Sequence, residues 1–229
     1  MLFPWIGLFE QIKLADIYVH YDDVQYSKGS FTNRVQIWDG NKISWLSIPI
    51  IHSPGNINEI TINNKSNWQR KHLNLLKQSY SKSPFKDDML DIVETVYSEQ
   101  HINICSLSVS SINHICRYFN INDPDQFKYS SKLGISGHSS KRVLDIVNHF
   151  EGTQYITGHG AQHYLDHSLF ESNAIEVKYM NYNKTSYPQL TQKFTPYVSI
   201  LDLIANLGRN GISNICSGTK GWKEFINEY

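Results

Sequence analysis

The chain has 229 residues, and its 21 lysines and arginines balance its 21 aspartates and glutamates, so the formal net charge is zero. Hydrophobic residues make up 40% and aromatic residues 13% of the chain. This composition excludes intrinsic disorder, which requires few aromatic residues and a large net charge. The neutral balance argues against a nucleic-acid binder, because such proteins need excess cations to neutralise phosphates. We expect one globular domain over residues 1–229 that binds small molecules.

The cysteines and the apolar segments indicate where the protein works. Cys105, Cys116 and Cys216 are odd in number and widely spaced, which favours a reducing compartment and matches no metal-binding motif. No apolar run reaches the roughly 18 residues of a membrane span, and the chain start lacks the basic region of a signal peptide. We therefore expect a cytoplasmic protein without a membrane span.

The amino-terminal third predicts a helix, a strand and a β-rich insertion. Apolar residues at helical spacing predict a helix over residues 4–14, and a β-branched and aromatic run predicts a buried strand over residues 17–21. The insertion spans about residues 33–62, with a hairpin turn at Asp39-Gly40. Its predicted strands cover residues 33–38, 43–51 and 57–62.

The middle of the chain, about residues 66–120, predicts helices. Asn67 or Ser66 caps the first, which continues through Tyr80, and Pro84 begins the second. The third covers residues 107–119. No repeat or low-complexity linker separates these helices from their neighbours.

From about residue 126, strands and helices alternate. The predicted strands cover residues 127–130, 154–157 and 175–179, and the predicted helices cover residues 139–150 and 161–170. This order is typical of an α/β fold with a mostly parallel sheet and flanking helices. We expect the three strands and residues 17–21 to form one sheet. Ligands bind at the carboxyl ends of such strands.

A polar cluster follows the first strand and is the first candidate site. It contains two acids, two amides and one cation, namely Asp22, Asp23, Gln25, Asn33 and Arg34. On the functional interpretation, Asp22 or Asp23 is a general base on an exposed rim, and the other three bind substrate. On the structural interpretation, the cluster is a solvated turn in which Arg34 forms a salt bridge that holds the hairpin.

A second candidate site lies at two strand-to-helix junctions. The backbone N–H groups of Gly158, His159 and Gly160 would face an anion such as a diphosphate, or the glycines only allow a tight turn. Lys141 and Arg142 lie in the first turn of a helix, where the helix dipole disfavours cations, so an anion is one explanation for them and simple solvation the other.

Three histidines repeat every four residues at His159, His163 and His167. On one helix they would share a face, as zinc-binding histidines do, but no His-Glu-x-x-His pattern accompanies them. We therefore expect no metal site.

A segment rich in proline and aromatic residues precedes the last helical pattern. Residues 186–189 and 193–197 form either a lid or sugar-stacking wall, or a surface crossover that packs on the core. Asp202 and Asn206 lie one helical turn apart, and we favour a structural role for Asp202.

Three groups of short motifs occur in order along nearly the whole chain. They are residues 3–9 with Ala15-Asp16, residues 22–26 and Asn33-Arg34; Trp68 with Lys71-His72 and later residues 155–160 with Tyr164-Leu165; and residues 194–203 with Asn206 and Gly208. This ordered set resembles the WbqC-like family of bacterial proteins. Each motif is weak alone, and the ordered set is specific.

The resemblance implies a role in surface-polysaccharide biosynthesis, since WbqC-like genes tend to lie in O-antigen and related clusters. It implies a cytoplasmic transferase or ligase that attaches an acyl or aminoacyl group to a nucleotide-activated amino sugar. It also adds Tyr164 to the substrate-binding residues. The alternative is a non-catalytic nucleotide- or sugar-binding protein that acts as a scaffold in the same pathway.

The chain departs from the implied pattern at its start. The family resemblance implies a β-strand ending in Gln-Pro before Pro4-Trp5, but Met1 falls where that strand would already have ended. Either the start is misassigned or the strand is lost. The order of elements is similar to nucleotidyltransferase-like or Rossmann-like folds, yet the His-x-Gly-His motif that holds ATP phosphates is absent. The sequence therefore indicates no particular cofactor, and it does not define the oligomeric state.

Overall fold

The computed structural model describes residues 1–51, 54–121, 125–191 and 193–228. Within these ranges the chain is a mixed α/β protein, and none of the helices is long and apolar enough to cross a membrane. The elements are α1 (Ile6–Leu14), β1 (Tyr18–His20), β2 (Arg34–Trp38), β3 (Ile43–Ser47), α2 (Trp68–Ser79), α3 (Lys86–Ser98), α4 (Ile104–Phe119), β4 (Phe127–Tyr129), α5 (Ser139–His149), β5 (Gln154–Thr157), α6 (His167–Ser172), β6 (Glu176–Asn181), α7 (Ile200–Leu207), β7 (Gly218–Gly221) and α8 (Trp222–Glu228).

The chain forms two compact units, each built from three segments. Unit 1 comprises Met1–Phe9, Asp22–Asn122 and Lys184–Ile215, and unit 2 comprises Glu10–Tyr21, Asp123–Asn183 and Cys216–Tyr229. The predicted β insertion and helical segment therefore belong to unit 1. The alternating strands and helices belong to unit 2.

The predicted hairpin in unit 1 is confirmed. Strands β2 and β3 pair antiparallel, and their alternating residues Val35, Ile37 and Leu46 are buried. At the turn, the Asp39 carboxylate accepts the backbone N–H groups of the second and third residues after it, and Gly40 has a φ of +98°. Only glycine adopts this φ without strain, so the Asp-Gly pair determines the turn.

The predicted helical segment is also confirmed, as α2, α3 and α4. The last of these begins at Ile104, three residues earlier than the predicted range. The reason is a cap, because the Asn103 side chain accepts the backbone N–H of Ser106 at 2.8 Å. Each helix buries an apolar stripe in unit 1, typified by Val93 on α3 and Ile112 on α4.

The predicted strand over residues 57–62 is wrong. Ile57–Glu59 forms a short 3₁₀ helix, and the Glu59 carboxylate accepts the backbone N–H of Asn56 at 2.8 Å. Ile60 and Ile62 are nevertheless buried, so the alternating apolar pattern predicted the buried positions correctly. The local hydrogen bond offers the backbone an alternative to a strand.

The single sheet predicted for unit 2 is also wrong. Strand β1 pairs parallel with β4 in a two-stranded sheet. A separate three-stranded sheet contains β5 and β6, which pair parallel, and β7, which pairs antiparallel with β6. The parallel pairing is confirmed for two strand pairs, but the four predicted strands are divided between two sheets.

A cavity of about 620 Å³ lies beside both sheets. Residues of both β1 and β5 line it, together with parts of α1 and α5, and we call it the β1–β5 cavity. The Gln11 side chain of α1 donates a hydrogen bond to the Ile156 carbonyl of β5 at 2.9 Å. The edges of the two sheets therefore border one space instead of pairing with each other.

Unit 2 has its own apolar core, in which Tyr179 and Phe225 stack with ring centroids 4.3 Å apart. The helix predicted over residues 161–170 is wrong, because a 3₁₀ segment, His159–His163, is followed by the separate helix α6. Asp166 begins α6 by accepting the Leu169 backbone N–H at 3.1 Å. The buried core residues of unit 2 include Leu144, Ala161, Leu165, Phe170, Ile175, Val177, Tyr179 and Phe225.

Candidate functional site

The predicted site residues are divided between the two units. Those of unit 1 follow β1 in the chain or lie on the hairpin, namely Asp22, Asp23, Gln25, Asn33 and Arg34. Those of unit 2 lie at the amino end of α5 and after β5, namely Lys141, Arg142, Gly158, His159, Gly160 and Tyr164. We describe each group within its own unit.

Arg142 is a buried cation in unit 2. Its Nε donates a hydrogen bond to the Ile135 carbonyl at 3.0 Å, and its guanidinium carbon lies 5.1 Å from the centre of the Tyr21 ring. The guanidinium therefore links the segment before α5 to the residue after β1. This cation–aromatic contact gives the unit 2 site a fixed positive charge.

Lys141 is placed differently from its neighbour. Its side chain is exposed and forms an ion pair with Asp145, one turn along α5. Such exposed pairs contribute little to stability, so Lys141 can exchange Asp145 for another anion at low energetic cost.

Gly158 and Gly160 flank His159 directly after β5. The Nε2 of His159 donates to the Met180 carbonyl of β6 at 2.7 Å, and its ring lies 4.7 Å from the Phe225 ring. His159 therefore anchors the turn to β6. A Cβ on Gly158 would lie 3.3 Å from the Tyr182 hydroxyl, whereas a Cβ on Gly160 would meet no atom within 4 Å.

Tyr164 exposes 60% of its surface, more than any other aromatic residue among the exposed large side chains of the described chain. Partial burial raises its pKa, and the nearby Tyr21 hydroxyl adds to this effect. The hydroxyls of Tyr164 and Tyr21 also lie near Tyr155, whose pKa is raised to about 12, mainly by burial. Tyr21, Tyr164 and Arg142 therefore belong to one aromatic and cationic cluster, which we call the tyrosine rim.

Asp22 in unit 1 is buried, with only 6% of its surface exposed, so the expectation of an exposed acid is wrong. The side-chain amide of Asn58 donates to its carboxylate at 3.4 Å, and the Asn58 backbone N–H donates to its carbonyl at 2.9 Å. Asp23 is partly buried. Burial and, to a smaller degree, the charge of Asp22 raise the pKa of the Cys105 thiol to about 11.

Asn33 and Arg34 hold the hairpin and the loop before it. The Tyr26 hydroxyl donates to the Asn33 side chain at 2.9 Å, and the Asn33 amide donates to the Ile48 carbonyl at 3.1 Å. Arg34 donates to the Gly29 carbonyl and lies 4.2 Å from the Trp45 ring centre. This geometry agrees with the structural interpretation of the two residues, although through a carbonyl and a ring rather than a salt bridge.

Gln25 lies beside this group and is exposed. It forms an isolated antiparallel bridge with Asn56. Its side chain is therefore accessible, while its backbone is held.

Glu10 and Tyr21 were missed as candidates in the sequence. Glu10 is 2% exposed on α1, and its carboxylate accepts the Cys216 backbone N–H at 3.4 Å. Burial raises the pKa of Tyr182 to about 12, and the charge of Glu10 adds to this effect. The signal for Glu10 is a single acid inside an apolar helical pattern. The signal for Tyr21 is its position next to Asp22.

The described residues show no group of three or more histidine, cysteine or acidic side chains arranged to hold a metal ion. The three histidines expected on one helical face lie on a 3₁₀ segment and on α6. Burial raises the pKa of the Cys116 thiol to about 12, so this thiol stays protonated near neutral pH. Neither Cys105 nor Cys116 has the lowered pKa of a nucleophilic cysteine.

Comparison with known proteins identifies the family. The model of the WbqC-like protein family matches residues 1–214. The chain is also 29% identical, over 210 residues, to the uncharacterized protein Rv1507c of Mycobacterium tuberculosis, and the match covers 90% of each chain. No solved structure matches the sequence. The chain is a member of the WbqC-like protein family.

Proposed function

We propose that the protein attaches an acyl or aminoacyl group to a nucleotide-activated amino sugar in cytoplasmic surface-polysaccharide biosynthesis. The observation that carries this proposal is the tyrosine rim of unit 2, where the buried Arg142 lies over Tyr21 beside the exposed Tyr164. Gly160 leaves its backbone open to close approach after β5. A nucleotide sugar bound in unit 2 would therefore contact a guanidinium, an exposed aromatic ring and the accessible backbone of a glycine.

Each part of a nucleotide sugar has a partner of matching chemistry in this unit. An exposed tyrosine ring stacks on a nucleobase or on the apolar face of a sugar. Backbone N–H groups near Gly160 and the Arg142 guanidinium suit a diphosphate, which needs donors and positive charge. The carboxyl ends of parallel strands are the usual position for such ligands.

The transfer step requires a proton acceptor. The amine of the sugar attacks the carbonyl carbon of the donor, a C–N bond forms, the bond to the leaving group breaks, and the amine loses one proton. We assign that proton to Asp22 or Asp23, as the sequence predicts. A positioned carboxylate of this kind contributes about 100-fold or more to the rate.

The direct test is a product assay. Incubation with amino-sugar nucleotides, acyl or aminoacyl donors and ATP, followed by mass spectrometry, should show a product heavier than the sugar nucleotide by the transferred group. Tyr164→Ala should weaken sugar-nucleotide binding about 10-fold through lost stacking. Tyr164→Phe keeps the ring and should bind like the parent. Equal binding by Tyr164→Ala and the parent would contradict the assignment of the rim.

A non-catalytic binding protein is the second candidate, and one observation favours it. Three of the candidate side chains are held by partners within unit 2. Lys141 pairs with Asp145, Arg142 donates to the Ile135 carbonyl, and His159 donates to the Met180 carbonyl. Side chains that are held in this way recognise a ligand more readily than they move protons. Saturable binding of a sugar nucleotide without any product across the donor panel would establish this candidate.

A further inference from the structure

The β2–β3 hairpin of unit 1 carries large apolar side chains on its outward face. Its inward face is buried through Val35, Ile37 and Leu46. The antiparallel register places six other side chains together on the outward face, namely Arg34, Gln36 and Trp38 of β2 and Ser47, Trp45 and Ile43 of β3. We call these six residues the hairpin face. An antiparallel sheet that buries one face normally has polar residues on the other, so the two tryptophans and the isoleucine need another explanation.

The apolar side chains of the hairpin face adjoin a further aromatic ring. Phe31 lies in the loop before β2, and its ring centroid is 5.4 Å from that of Trp45. Ile43, Trp45 and Phe31 each expose between 37% and 47% of their surface. Single exposed apolar residues need no explanation, but a contiguous patch of them marks a surface that binds a partner or a membrane.

The same segment carries excess positive charge. Residues 26–47 contain three cations, Lys28, Arg34 and Lys42, and one acid, Asp39. The Asp39 carboxylate is already occupied, because it accepts a side-chain hydroxyl and two backbone N–H groups of the hairpin. Both lysines are exposed. The whole chain is neutral, so this segment is a local cationic region that attracts an anionic partner.

Arg34 brings the positive charge and the aromatic rings together. Its guanidinium carbon lies 4.2 Å from the centre of the Trp45 ring, and its Nη2 donates to the Gly29 carbonyl at the surface. Its Nε is buried and has no hydrogen-bond partner among the described residues. A guanidinium that has lost part of its hydration in this way gains more from a nearby anion than a fully hydrated cation does.

We propose that the hairpin face, together with Phe31, binds the surface of an anionic lipid bilayer. The apolar side chains enter the boundary between headgroups and acyl chains, where tryptophan is enriched in membrane proteins. The two exposed lysines and Arg34 lie at the level of the negatively charged headgroups, and each cation there strengthens binding. Cations alone attract any polyanion, and apolar side chains alone fit any apolar partner. A bilayer with anionic headgroups matches both features at once. This contact goes beyond the proposed function, which requires no membrane.

The first test is co-sedimentation with lipid vesicles. The protein should bind vesicles of equal parts phosphatidylglycerol and phosphatidylcholine about 10-fold or more tightly than vesicles of phosphatidylcholine alone. Trp45→Ala should reduce binding to the anionic vesicles about 10-fold, because it removes the largest exposed apolar side chain of the patch. Ile102→Ala removes an exposed apolar side chain elsewhere in unit 1, so it is the matched control and should bind like the parent.

The charge requirement is tested separately. The double substitution Lys28→Gln and Lys42→Gln should reduce binding to the anionic vesicles about 10-fold. Thermal melting should show all variants folded, since the substituted side chains are exposed. Failure of the parent to bind anionic vesicles overturns the proposal, and so does equal binding by the parent and either Trp45→Ala or the lysine variant. If the hairpin face instead binds a soluble acidic oligosaccharide or a second copy of the chain, the parent will ignore the vesicles.

A second measurement places the hairpin face in the bilayer without truncating a side chain. Trp45→Phe keeps an apolar aromatic ring and should bind the anionic vesicles like the parent. Lipids brominated on their acyl chains quench a tryptophan only where its ring enters the bilayer, so they should quench the parent more than Trp45→Phe. Equal fractional quenching in the two proteins overturns the proposal. Neither test uses a sugar nucleotide, so both are independent of the proposed enzyme activity.

Discussion

The hydrogen-bonded network around Asp202 in unit 1 and the tyrosine rim in unit 2 use polar side chains in opposite ways. In unit 1, Asp202 is 1% exposed, and its carboxylate accepts hydrogen bonds from the Tyr187 hydroxyl and the Gln189 amide, both at 2.8 Å. Burial raises the pKa of this carboxyl. In unit 2, the tyrosine rim instead keeps Tyr164 exposed. The Asp202 network of unit 1 therefore buries its polar groups, whereas the tyrosine rim of unit 2 keeps a tyrosine at the surface.

The difference separates stability from recognition. Buried polar groups that are fully hydrogen-bonded fix a unique arrangement of the chain, and they cost much when one partner is removed. Exposed polar and aromatic groups cost little to change, and they are available to a ligand. We therefore expect substitutions in the unit 1 networks to affect folding, and those in the unit 2 rim to affect binding.

The largest effect on stability is expected from Asp202→Ala. This change leaves the buried Tyr187 hydroxyl without its acceptor, at a cost of about 1–3 kcal/mol, and removes one of the acceptors of the partly buried Gln189 amide. The free energy of unfolding, measured by urea titration, should fall by roughly 1–4 kcal/mol. Asp91→Ala on the exposed side of α3 is the matched control and should change it by less than about 0.5 kcal/mol. Equal losses of stability in Asp202→Ala and Asp91→Ala would contradict a structural role for Asp202.

A second prediction tests whether unit 1 also takes part in chemistry. Asp22→Asn and Asp23→Asn keep the shape of the side chain but remove its basicity, so at least one should reduce turnover about 100-fold in the product assay. Thermal melting should show both variants folded, because the amide oxygen still accepts from Asn58 at position 22. If both variants react like the parent, the two acids are structural, and the contrast between the units is sharper.

A third prediction concerns pH. Burial lowers the pKa of His72 to about 4 from 6.5. Its Nδ1 accepts the Tyr97 hydroxyl at 2.9 Å, and its Nε2 donates to the Ser47 carbonyl at 3.1 Å. In the unfolded chain His72 becomes protonated below about pH 6.5, whereas in the folded chain it becomes protonated only near pH 4. The free energy of unfolding therefore falls as the pH falls through this window. Between pH 8 and pH 5 the loss should be about 2 kcal/mol.

The pH effect is isolated by comparison with a variant. His72→Gln is less stable than the parent at pH 8, and this difference should shrink by about 2 kcal/mol at pH 5, as urea titrations at both pH values would show. Asn74→Gln, at an exposed position on the same helix, should leave the pH dependence unchanged. A constant difference between the parent and His72→Gln would mean that His72 is protonated equally in both states.

The smallest effect is expected at Gly160. In Gly160→Val the added Cβ meets no neighbouring atom within 4 Å, so the melting temperature should change little, but the side chain covers the backbone after β5. Sugar-nucleotide affinity, measured by calorimetry, should fall about 10-fold, which is about 1.4 kcal/mol. Gly221→Val, also with open space around its Cβ, is the control and should bind like the parent. If Gly160→Val binds the sugar nucleotide as tightly as the parent, Gly160 does not contact the ligand and only allows the tight turn after β5.

Local patterns in the sequence determined much of the fold. The Asp39-Gly40 turn predicted the hairpin, and helical periodicity predicted α2, α3 and α4, because these signals arise from neighbouring residues and need no knowledge of the rest of the chain. The motifs also identified the family. Local chemistry misled where it competed with periodicity, since the Glu59 hydrogen bond replaced a strand by a 3₁₀ helix.

Only the tertiary structure decided which strands pair and which polar groups are buried. Strand periodicity gives the face of a residue but not its neighbour strand, so the sequence did not show that β1 pairs with β4 and faces a cavity on the side of β5. The burial of Asp22 and the contact of Arg142 with Tyr21 also depend on residues distant in sequence. Such contacts form when the chain closes long loops, and no local pattern encodes them.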